Sequence, residues 1–429
     1  MLKKLFIWGN VILLAVFLTA IFKDTFRPWM PYQREYRKRQ AAEEKTPEVR
    51  RSIQGRSLEI KQVLATDLGQ VDRCITCHQG MDPLATPTLE NDFIDNPHKA
   101  HPGDFLKVHS VEKYGCTVCH AGQGLATTFS GAGHTPKDEA QKAEWKKKYG
   151  WEPAEHWEHP MLAPPYLQAT CVKCHGNFES LHGTEVAARG KELMHTHGCI
   201  GCHQWHGDGG PISVDLAEET ANKPLTRIDF SHTGLSPEEE TLLNWIRLHF
   251  VADTWVLNPG DPEGKMSAEP IAPSGMPDFR QELSEEDAAA LTTYILSAQS
   301  SVIPHDYYVE GPKEPTFESM HFRSNIEAGH WVFNKYGCAG CHGLSGKGGR
   351  RNFNYTGGFE PALVKSVATY TRDELRKKIQ TGVAVVGKEN EKGATPPLYM
   401  PSWKDKIKGK ELEALLDYLF SIKEKTEEW

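Results

Sequence analysis

Ten cysteines constrain this chain more than any other feature, because all of them fall in pairs of the form Cys-x-x-Cys. A histidine follows each pair at once, although histidine makes up only 20 of the 429 residues. Two cysteines three residues apart can form thioethers with both vinyl groups of a haem, and the next residue then offers an imidazole to the iron. The pattern predicts five covalent haem c groups. In chain order the motifs are Cys74, Cys77, His78; Cys116, Cys119, His120; Cys171, Cys174, His175; Cys199, Cys202, His203; and Cys338, Cys341, His342.

Two other uses of paired cysteines explain the pattern less well. A structural zinc site normally combines two Cys-x-x-Cys pairs into one tetrahedral four-sulfur site, so five pairs would leave one over. Zinc also gives no reason for a histidine after every pair. A disulfide within one pair would close a strained two-residue loop.

The N-terminal segment is the one long apolar stretch. Residues 5–22 carry no charge, and as a helix they would span about 27 Å, close to the thickness of a bilayer core. Lys3 and Lys4 precede the stretch, and no small-x-small cleavage pattern follows it, so an uncleaved signal-anchor over residues 1–27 is expected. The basic downstream flank fits the positive-inside rule poorly. Because haem is attached outside the cytoplasm, we expect a single-pass protein of the bacterial cytoplasmic membrane whose soluble part faces the periplasm.

The charge balance excludes one class of partner. Lysine and arginine number 49 against 57 aspartate and glutamate residues, which gives a formal net charge of −8. An acidic chain of this kind is not expected to bind nucleic acid. It is suited instead to a redox partner with a basic surface.

The remaining sequence divides into five parts. Residues 28–56 are rich in charge and predict a solvated helical spacer. Residues 57–183 hold three motifs among many glycines and prolines, and we expect a loop-rich trihaem module there, in which haems replace much of the apolar core. Residues 184–300 and 320–429 each hold one motif, and residues 301–319 link them.

The last two motif-bearing parts are copies of one plan. Gly190 and Gly329 each precede the first motif cysteine by nine residues, and two Met-Pro-x-aromatic segments each lie 18 residues before a tyrosine. Amphipathic patterns predict a closing helix in each copy. The plan resembles class I monohaem cytochrome c domains. The resemblance implies a mainly α fold, with an N-terminal transmembrane helix, the trihaem module and two tandem cytochrome c domains.

The same resemblance implies the sixth iron ligands of the last two haems. Met276 and Met400 begin the two Met-Pro-x-aromatic segments, and they are expected opposite His203 and His342. Met266 is a rival in the first copy. Pro211 resembles the family proline whose carbonyl accepts a hydrogen bond from the proximal histidine, whereas the next proline in the second copy is Pro361, which leaves that contact of His342 open.

The first three haems need ligands from elsewhere. The string HKAHPGDFLKVHSVEKYGCTVCHAGQG, with HWEHP before the third motif, resembles multihaem subunits found with cytochrome b and Rieske-type quinol-oxidising complexes. That resemblance favours His101, His109 and His156 as ligands, with His134 next and Met81 and Met161 after them. His98, His159 and His182 are expected at the surface. The sequence does not pair any of these side chains with a particular haem.

The expected function is electron transfer without catalysis. The resemblance implies integral membrane respiratory subunits of the cytochrome b/Rieske type as electron donors, and a cytochrome or another redox protein as the acceptor, with the bilayer contacted by the N-terminal helix. Ammonia-forming nitrite reductases also carry five haems, but their catalytic haem sits on a lysine-ending motif, whereas all five motifs here end in histidine. A small-molecule reductase with one open haem and a filament-forming multihaem wire are the alternatives.

Overall fold

The chain forms two compact units, Met1–Ala163 and Pro164–Trp429, in a computed structural model. The structure describes residues 2–154, 157–231, 233–251, 272–279 and 282–424. Both units are mainly helical, as expected, and their strands are short.

The first unit contains seven described helices and one hairpin. The helices are α1 (Leu2–Thr25), α2 (Met30–Glu43), α3 (Pro47–Gly55), α4 (Phe105–Val108), α5 (Val111–Tyr114), α6 (Thr117–His120) and α7 (Glu139–Tyr149), and the strands are β1 (Val63–Ala65) and β2 (Gln70–Asp72). The strands pair antiparallel, with Val63 opposite Asp72.

Helix α1 has the length and composition of a membrane span. Its segment Leu2–Lys23 has a mean hydropathy of 2.4, and none of it is buried against the rest of the chain. Among the described residues it is the one helix that meets these criteria. It could therefore anchor the protein in a membrane.

Helix α2 packs against the first motif, whereas a solvated spacer is expected from its charge. Gln33 is fully buried, and its side-chain amide donates to the carbonyl of Glu59 at 2.7 Å and to that of Thr76, inside the first motif, at 2.9 Å. The side-chain oxygen of Gln33, Oε1, accepts from the backbone N–H of Glu59 at 3.2 Å. Tyr36 is also buried and shares a hydrogen bond with Thr86. The helix is thus part of the body of the first unit.

The apolar core of the first unit is small. One cluster holds Val63, Ile75 and Val111, with Leu106 packed against it. The cluster is smaller than either apolar core of the second unit, although Tyr36, Ile53 and Trp151 are also buried in the first unit. Covalent haem at the two motifs of this unit would supply further apolar surface.

The second unit contains the remaining described helices and a second hairpin. The helices are α8 (Gln168–Val172), α9 (Glu185–Thr196), α10 (Leu242–Leu248), α11 (Glu285–Leu296), α12 (Asn325–Lys335), α13 (Ala339–His342), α14 (Leu363–Ser366), α15 (Arg372–Thr381) and α16 (Gly409–Ser421), and the strands are β3 (Gln204–Trp205) and β4 (Asp208–Gly209). Two separate apolar clusters form its cores, one in each repeat.

Each repeat is built on one close helix crossing. In the first, α9 crosses α11, and a Cβ added at Gly190 would stand 2.1 Å from the carbonyl oxygen of Ala290. In the second, α12 crosses α16, and a Cβ at Gly329 would stand 1.9 Å from the oxygen of Ala414. Only glycine permits this approach of two backbones, which explains why both copies place glycine nine residues before the motif.

The third motif lies in the second unit, although we expect it in a module with the first two. Ala169, on α8 just before it, and Phe178, just after it, belong to the core of the first repeat. The expected linker, residues 301–319, also holds it in place, since Val309 donates to the carbonyl of Cys174 at 2.7 Å and accepts from Gly176 at 2.9 Å. The third motif is therefore packed with the first cytochrome-like repeat.

Candidate haem sites

The first motif faces a histidine far away in sequence. The rings of His78 and His134 have centroids 6.2 Å apart, with 30° between their planes. Nδ1 of His134 bonds the carbonyl oxygen of Phe129 at 2.7 Å, and its ring stacks on Phe129 with centroids 4.3 Å apart. Because a donating Nδ1 leaves the lone pair on Nε2, His134 is oriented as a metal ligand.

The second motif has a similar neighbour. The rings of His101 and His120 have centroids 6.1 Å apart, at an interplanar angle of 69°. Nδ1 of His101 bonds the carbonyl oxygen of Pro102 at 2.9 Å, which again leaves Nε2 as the nitrogen with a lone pair. The resemblance favours both His101 and His134 as ligands, and each ring lies near that of one motif histidine.

At these two separations each pair of histidines could hold one haem iron. Two imidazoles bound on opposite sides of one metal ion, at about 2 Å each, place their ring centres about 6 Å apart. Burial also keeps these rings neutral, since desolvation lowers the pKa of His78 to about 3 and lowers the pKa values of His101, His120 and His134 as well. Neutral imidazole is the form that binds iron.

A buried carboxylate joins the first two motifs. Asp72 ends strand β2 two residues before Cys74, and its side chain accepts from the backbone amides of Cys116 and Thr117 and from the Thr117 hydroxyl. Cys116 also lies within hydrogen-bonding reach of Cys74, and this contact is the largest cause that raises its pKa. The first cysteines of the two motifs are thus held side by side.

In the fourth and fifth motifs the proximal histidine is held by a backbone carbonyl. Nδ1 of His203 bonds the oxygen of Val214 at 2.9 Å, so the expectation of Pro211 is wrong. The carbonyl that reaches His203 belongs to a residue three positions after Pro211. Nδ1 of His342 bonds the oxygen of Pro361 at 2.8 Å, which answers the question left open by the sequence. Both rings keep Nε2 for the iron.

The two methionines occupy equivalent places. Met276 packs against the core of the first repeat and Met400 against the core of the second. The aromatic residues that follow them, Phe279 and Trp403, are buried. The rival, Met266, lies outside the described residues. The structure is therefore consistent with the two segments having one role.

His249 is a functional candidate that the motifs do not reveal. It follows α10, and desolvation lowers its pKa to about 4, with the nearby His203 contributing to the lowering. Helix α10 of the first repeat buries Leu242 and Ile246, and helix α15 of the second buries Leu375 and Ile379 with the same spacing. When the two helices are aligned on these residues, His249 corresponds to Gly382. A Cβ at Gly382 would stand 2.5 Å from the oxygen of Met400. By this alignment His249 is the counterpart of Gly382, which lies beside the methionine segment of the second repeat.

The other histidines differ in their surroundings. His109 packs on the ring of Tyr114 at 5.0 Å and bonds the carbonyl oxygen of Phe105, and His156 lies outside the described residues. His182 and His159 are exposed, as expected. The expectation of a surface position is wrong for His98, which is 4% exposed and bonds the carbonyl oxygen of Tyr32 at 3.1 Å.

The residues present fit covalent haem. All ten cysteines are free of disulfides. Backbone carbonyls orient the histidines of the fourth and fifth motifs. The histidines of the first and second motifs each lie near a second neutral imidazole. When bound, haem supplies one-electron iron chemistry, and the protein controls it through the axial ligands, burial and hydrogen bonding. The chain's own contribution is to hold, orient and desolvate these ligands.

Fold and sites together define a multihaem electron-transfer cytochrome of the c type. The cytochrome c family pattern matches residues 187–299 and 326–423, just under half of the chain. Two segments in the C-terminal part of the chain thus match the cytochrome c family, as the repeated plan predicts. Over 143 residues the chain is 29% identical to a Helicobacter pylori protein described as the Cbb3-type cytochrome c oxidase subunit CcoP. That alignment covers 33% of this chain and 38% of the relative. No solved structure gives a significant match.

Proposed function

We propose that this chain is a membrane-anchored pentahaem cytochrome c that relays electrons from a quinol-oxidising membrane complex to a periplasmic or membrane-bound acceptor. The observation that carries the proposal is the set of five Cys-x-x-Cys-His motifs in one chain. Two lie in cytochrome c domains, and two others face a second histidine at the separation that one iron requires.

The ligand types support a direction of electron flow. In this proposal His134 and His101 complete bis-histidine haems at His78 and His120, while Met276 and Met400 complete the haems at His203 and His342. Methionine stabilises ferrous iron relative to a second histidine, so the methionine-ligated haems have the higher potentials. Electrons would enter at the N-terminal haems and leave from the two cytochrome c domains.

Helix α1 supports a fixed position at the membrane. Its apolar span would cross the bacterial cytoplasmic membrane once, and the haem-bearing part would lie in the periplasm, where thioethers are formed. An anchored carrier suits permanent membrane partners, and we propose cytochrome b and Rieske-type subunits among them.

The relative from Helicobacter pylori supports a second destination for the electrons. It is described as a subunit of a cbb3-type cytochrome c oxidase, and so a terminal oxidase is a candidate acceptor for this chain. The small share of both chains that aligns restricts the inference to the segment that they have in common.

Purification of the protein from its native membranes tests the proposal. We expect five haems per chain by mass spectrometry, co-purifying cytochrome b or oxidase subunits, and a potentiometric titration with separate low- and high-potential groups. All five haems at one low potential would contradict the direction of flow. Binding of carbon monoxide or cyanide to a haem of the untreated protein would favour a reductase, and polymerisation into filaments would favour a wire.

A further inference from the structure

The two cytochrome c domains meet through their haem-attachment segments. Gly198-Cys199-Ile200-Gly201-Cys202-His203 corresponds to Gly337-Cys338-Ala339-Gly340-Cys341-His342. Gly198 lies against Gly340, and Gly201 lies against Gly337. Because each contact is the counterpart of the other under exchange of the two copies, the segments are related by a local pseudo-twofold axis, as in an isologous interface.

Four glycines make this approach possible. A Cβ at Gly201 would stand 2.1 Å from the oxygen of Gly337, and a Cβ at Gly340 would stand 2.3 Å from the oxygen of Gly198. Neither Gly201 nor Gly340 has a positive φ. Their own backbone would accept any L-residue, so the neighbouring domain is what requires glycine at these two places.

The contact brings two haem-bearing sulfurs together. Sγ of Cys202 and Sγ of Cys341, the second cysteines of the fourth and fifth motifs, lie 3.8 Å apart. In the loaded protein each sulfur is bonded to its haem. The two covalent attachments therefore meet across a single van der Waals gap.

Contacts at the rim hold the arrangement. Arg350 of the second domain forms a bidentate ion pair with Glu282 of the first, and its guanidinium lies over the ring of Phe279, 5.1 Å from the centroid. Lys406 of the second domain donates to the carbonyl of Gly209 in the first at 2.7 Å. The Arg350 side chain is 11% exposed and that of Glu282 is 29% exposed, so the arginine side of the ion pair is largely shielded from solvent.

We propose that this interface couples the haems of the fourth and fifth motifs into one redox pair, with Cys202 and Cys341 as the junction between them. The proposal rests on the proposed function, in that both motifs carry haem. An electron crossing the junction oxidises one ferrous iron and reduces the other ferric iron, with no bond made or broken and no further reactant. Gly201 and Gly340 are positioning residues, because they act only by letting the sulfurs approach.

The test uses the full-length holoprotein with Gly201→Ala and Gly340→Ala. Each added methyl pushes the domains apart at the junction without removing a ligand or a cysteine. Gly348→Ala is the matched control, because a Cβ there meets nothing within 4 Å. The readouts are the Soret circular dichroism of ascorbate-reduced minus oxidised protein, which reports the high-potential haems, and the separation of the two highest midpoint potentials.

We expect the wild type and Gly348→Ala to show a bisignate Soret couplet and two separated midpoints. In Gly201→Ala and Gly340→Ala the couplet is lost and the midpoints move together. Unchanged spectra and midpoints in both variants, at full haem content, would overturn the proposal. If neither variant folds, Glu282→Ala loosens the same interface from its rim, and an unchanged couplet there would overturn it equally.

A separate measurement distinguishes failure of the proposed function from failure of the coupling. Mass spectrometry of haem peptides shows whether Cys199, Cys202, Cys338 and Cys341 carry haem in the wild type. Missing haem on either motif refutes the proposed function before any spectrum is compared. Full loading without a couplet refutes only the coupling.

Discussion

His78 and His134 lie 56 residues apart in the chain, yet their imidazole rings face each other with centroids 6.2 Å apart. In the proposed function these two rings bind one iron, a pairing that spacing along the sequence cannot predict. The same relationship holds for His120 and His101. Both pairs can be tested by spectroscopy of the haems.

Replacement of His134 or His101 by alanine removes one axial ligand. We expect each variant to retain five haems, while one low-spin bis-histidine haem becomes high-spin and binds carbon monoxide when reduced. Electron paramagnetic resonance and carbon monoxide difference spectra measure the change. His182→Ala is the matched control, because that side chain is 98% exposed. If both variants give wild-type spectra, neither His134 nor His101 is an iron ligand.

Replacement of Met400 by histidine exchanges a thioether ligand for an imidazole. The midpoint potential of the haem at His342 should fall, because a second histidine stabilises ferrous iron less than methionine does. Potentiometric titration followed in the α band detects the shift. A titration curve identical to that of the wild type would show that Met400 is not a ligand.

The haem at His203 has two candidate sixth ligands in this structure. We expect Met276→Ala to abolish the sulfur-to-iron charge-transfer band of that haem in the ferric protein, and His249→Ala to retain it. Near-infrared magnetic circular dichroism of both variants decides between them. The reverse result, with the spectrum altered only in His249→Ala, would make His249 the ligand and that haem bis-histidine.

Much of this organisation could be predicted from local sequence. The covalent sites need only Cys-x-x-Cys-His, and the repeat shows itself in Gly190 and Gly329, each of which permits a helix crossing. The candidate distal histidines are different, because only the fold brings the ring of His134 to a centroid distance of 6.2 Å from that of His78. For the same reason Val214 rather than Pro211 holds His203: the carbonyl that reaches the imidazole depends on where the loop turns.

The docking of α2 is another case in which charge pattern was a poor guide. Charged residues dominate the helix, but two of its uncharged positions, Gln33 and Tyr36, are buried. The side chain of Gln33 forms three hydrogen bonds with backbone groups. Because this buried contact is polar, the sequence of α2 shows no apolar periodicity that would predict it. A buried amide of this kind is accommodated because its polar atoms are hydrogen-bonded.

Replacement of Gln33 by leucine should destabilise the first unit. The substitution leaves the backbone groups of Glu59 and Thr76 without their partner, at a cost of about 1–3 kcal/mol per buried group. Denaturant unfolding of the holoprotein, followed by the Soret band, measures the loss. Gln54→Leu, at an exposed position of the neighbouring helix α3, is the control. Equal midpoints for the two variants would show that the amide contributes nothing.

Replacement of Gly329 by alanine tests the helix crossing in the last domain. The new Cβ would stand 1.9 Å from the oxygen of Ala414, so α12 and α16 must separate, at a cost of about 1–3 kcal/mol. Thermal unfolding should show a lower transition temperature than in Gly348→Ala, where the space is open. The midpoint potential of the first two haems should not change.

The contacts of Gln33 also limit how the protein can move. Only residues 26–29 separate α1 from α2, a stretch that reaches at most about 18 Å when fully extended. If α1 lies in a bilayer, this limit applies to Met30, the first residue of α2, and the hydrogen bond from Gln33 to Thr76 connects α2 to the first motif. In that case the first motif would stay near the membrane surface, and a partner that exchanges electrons with a haem there would have to approach it at that surface.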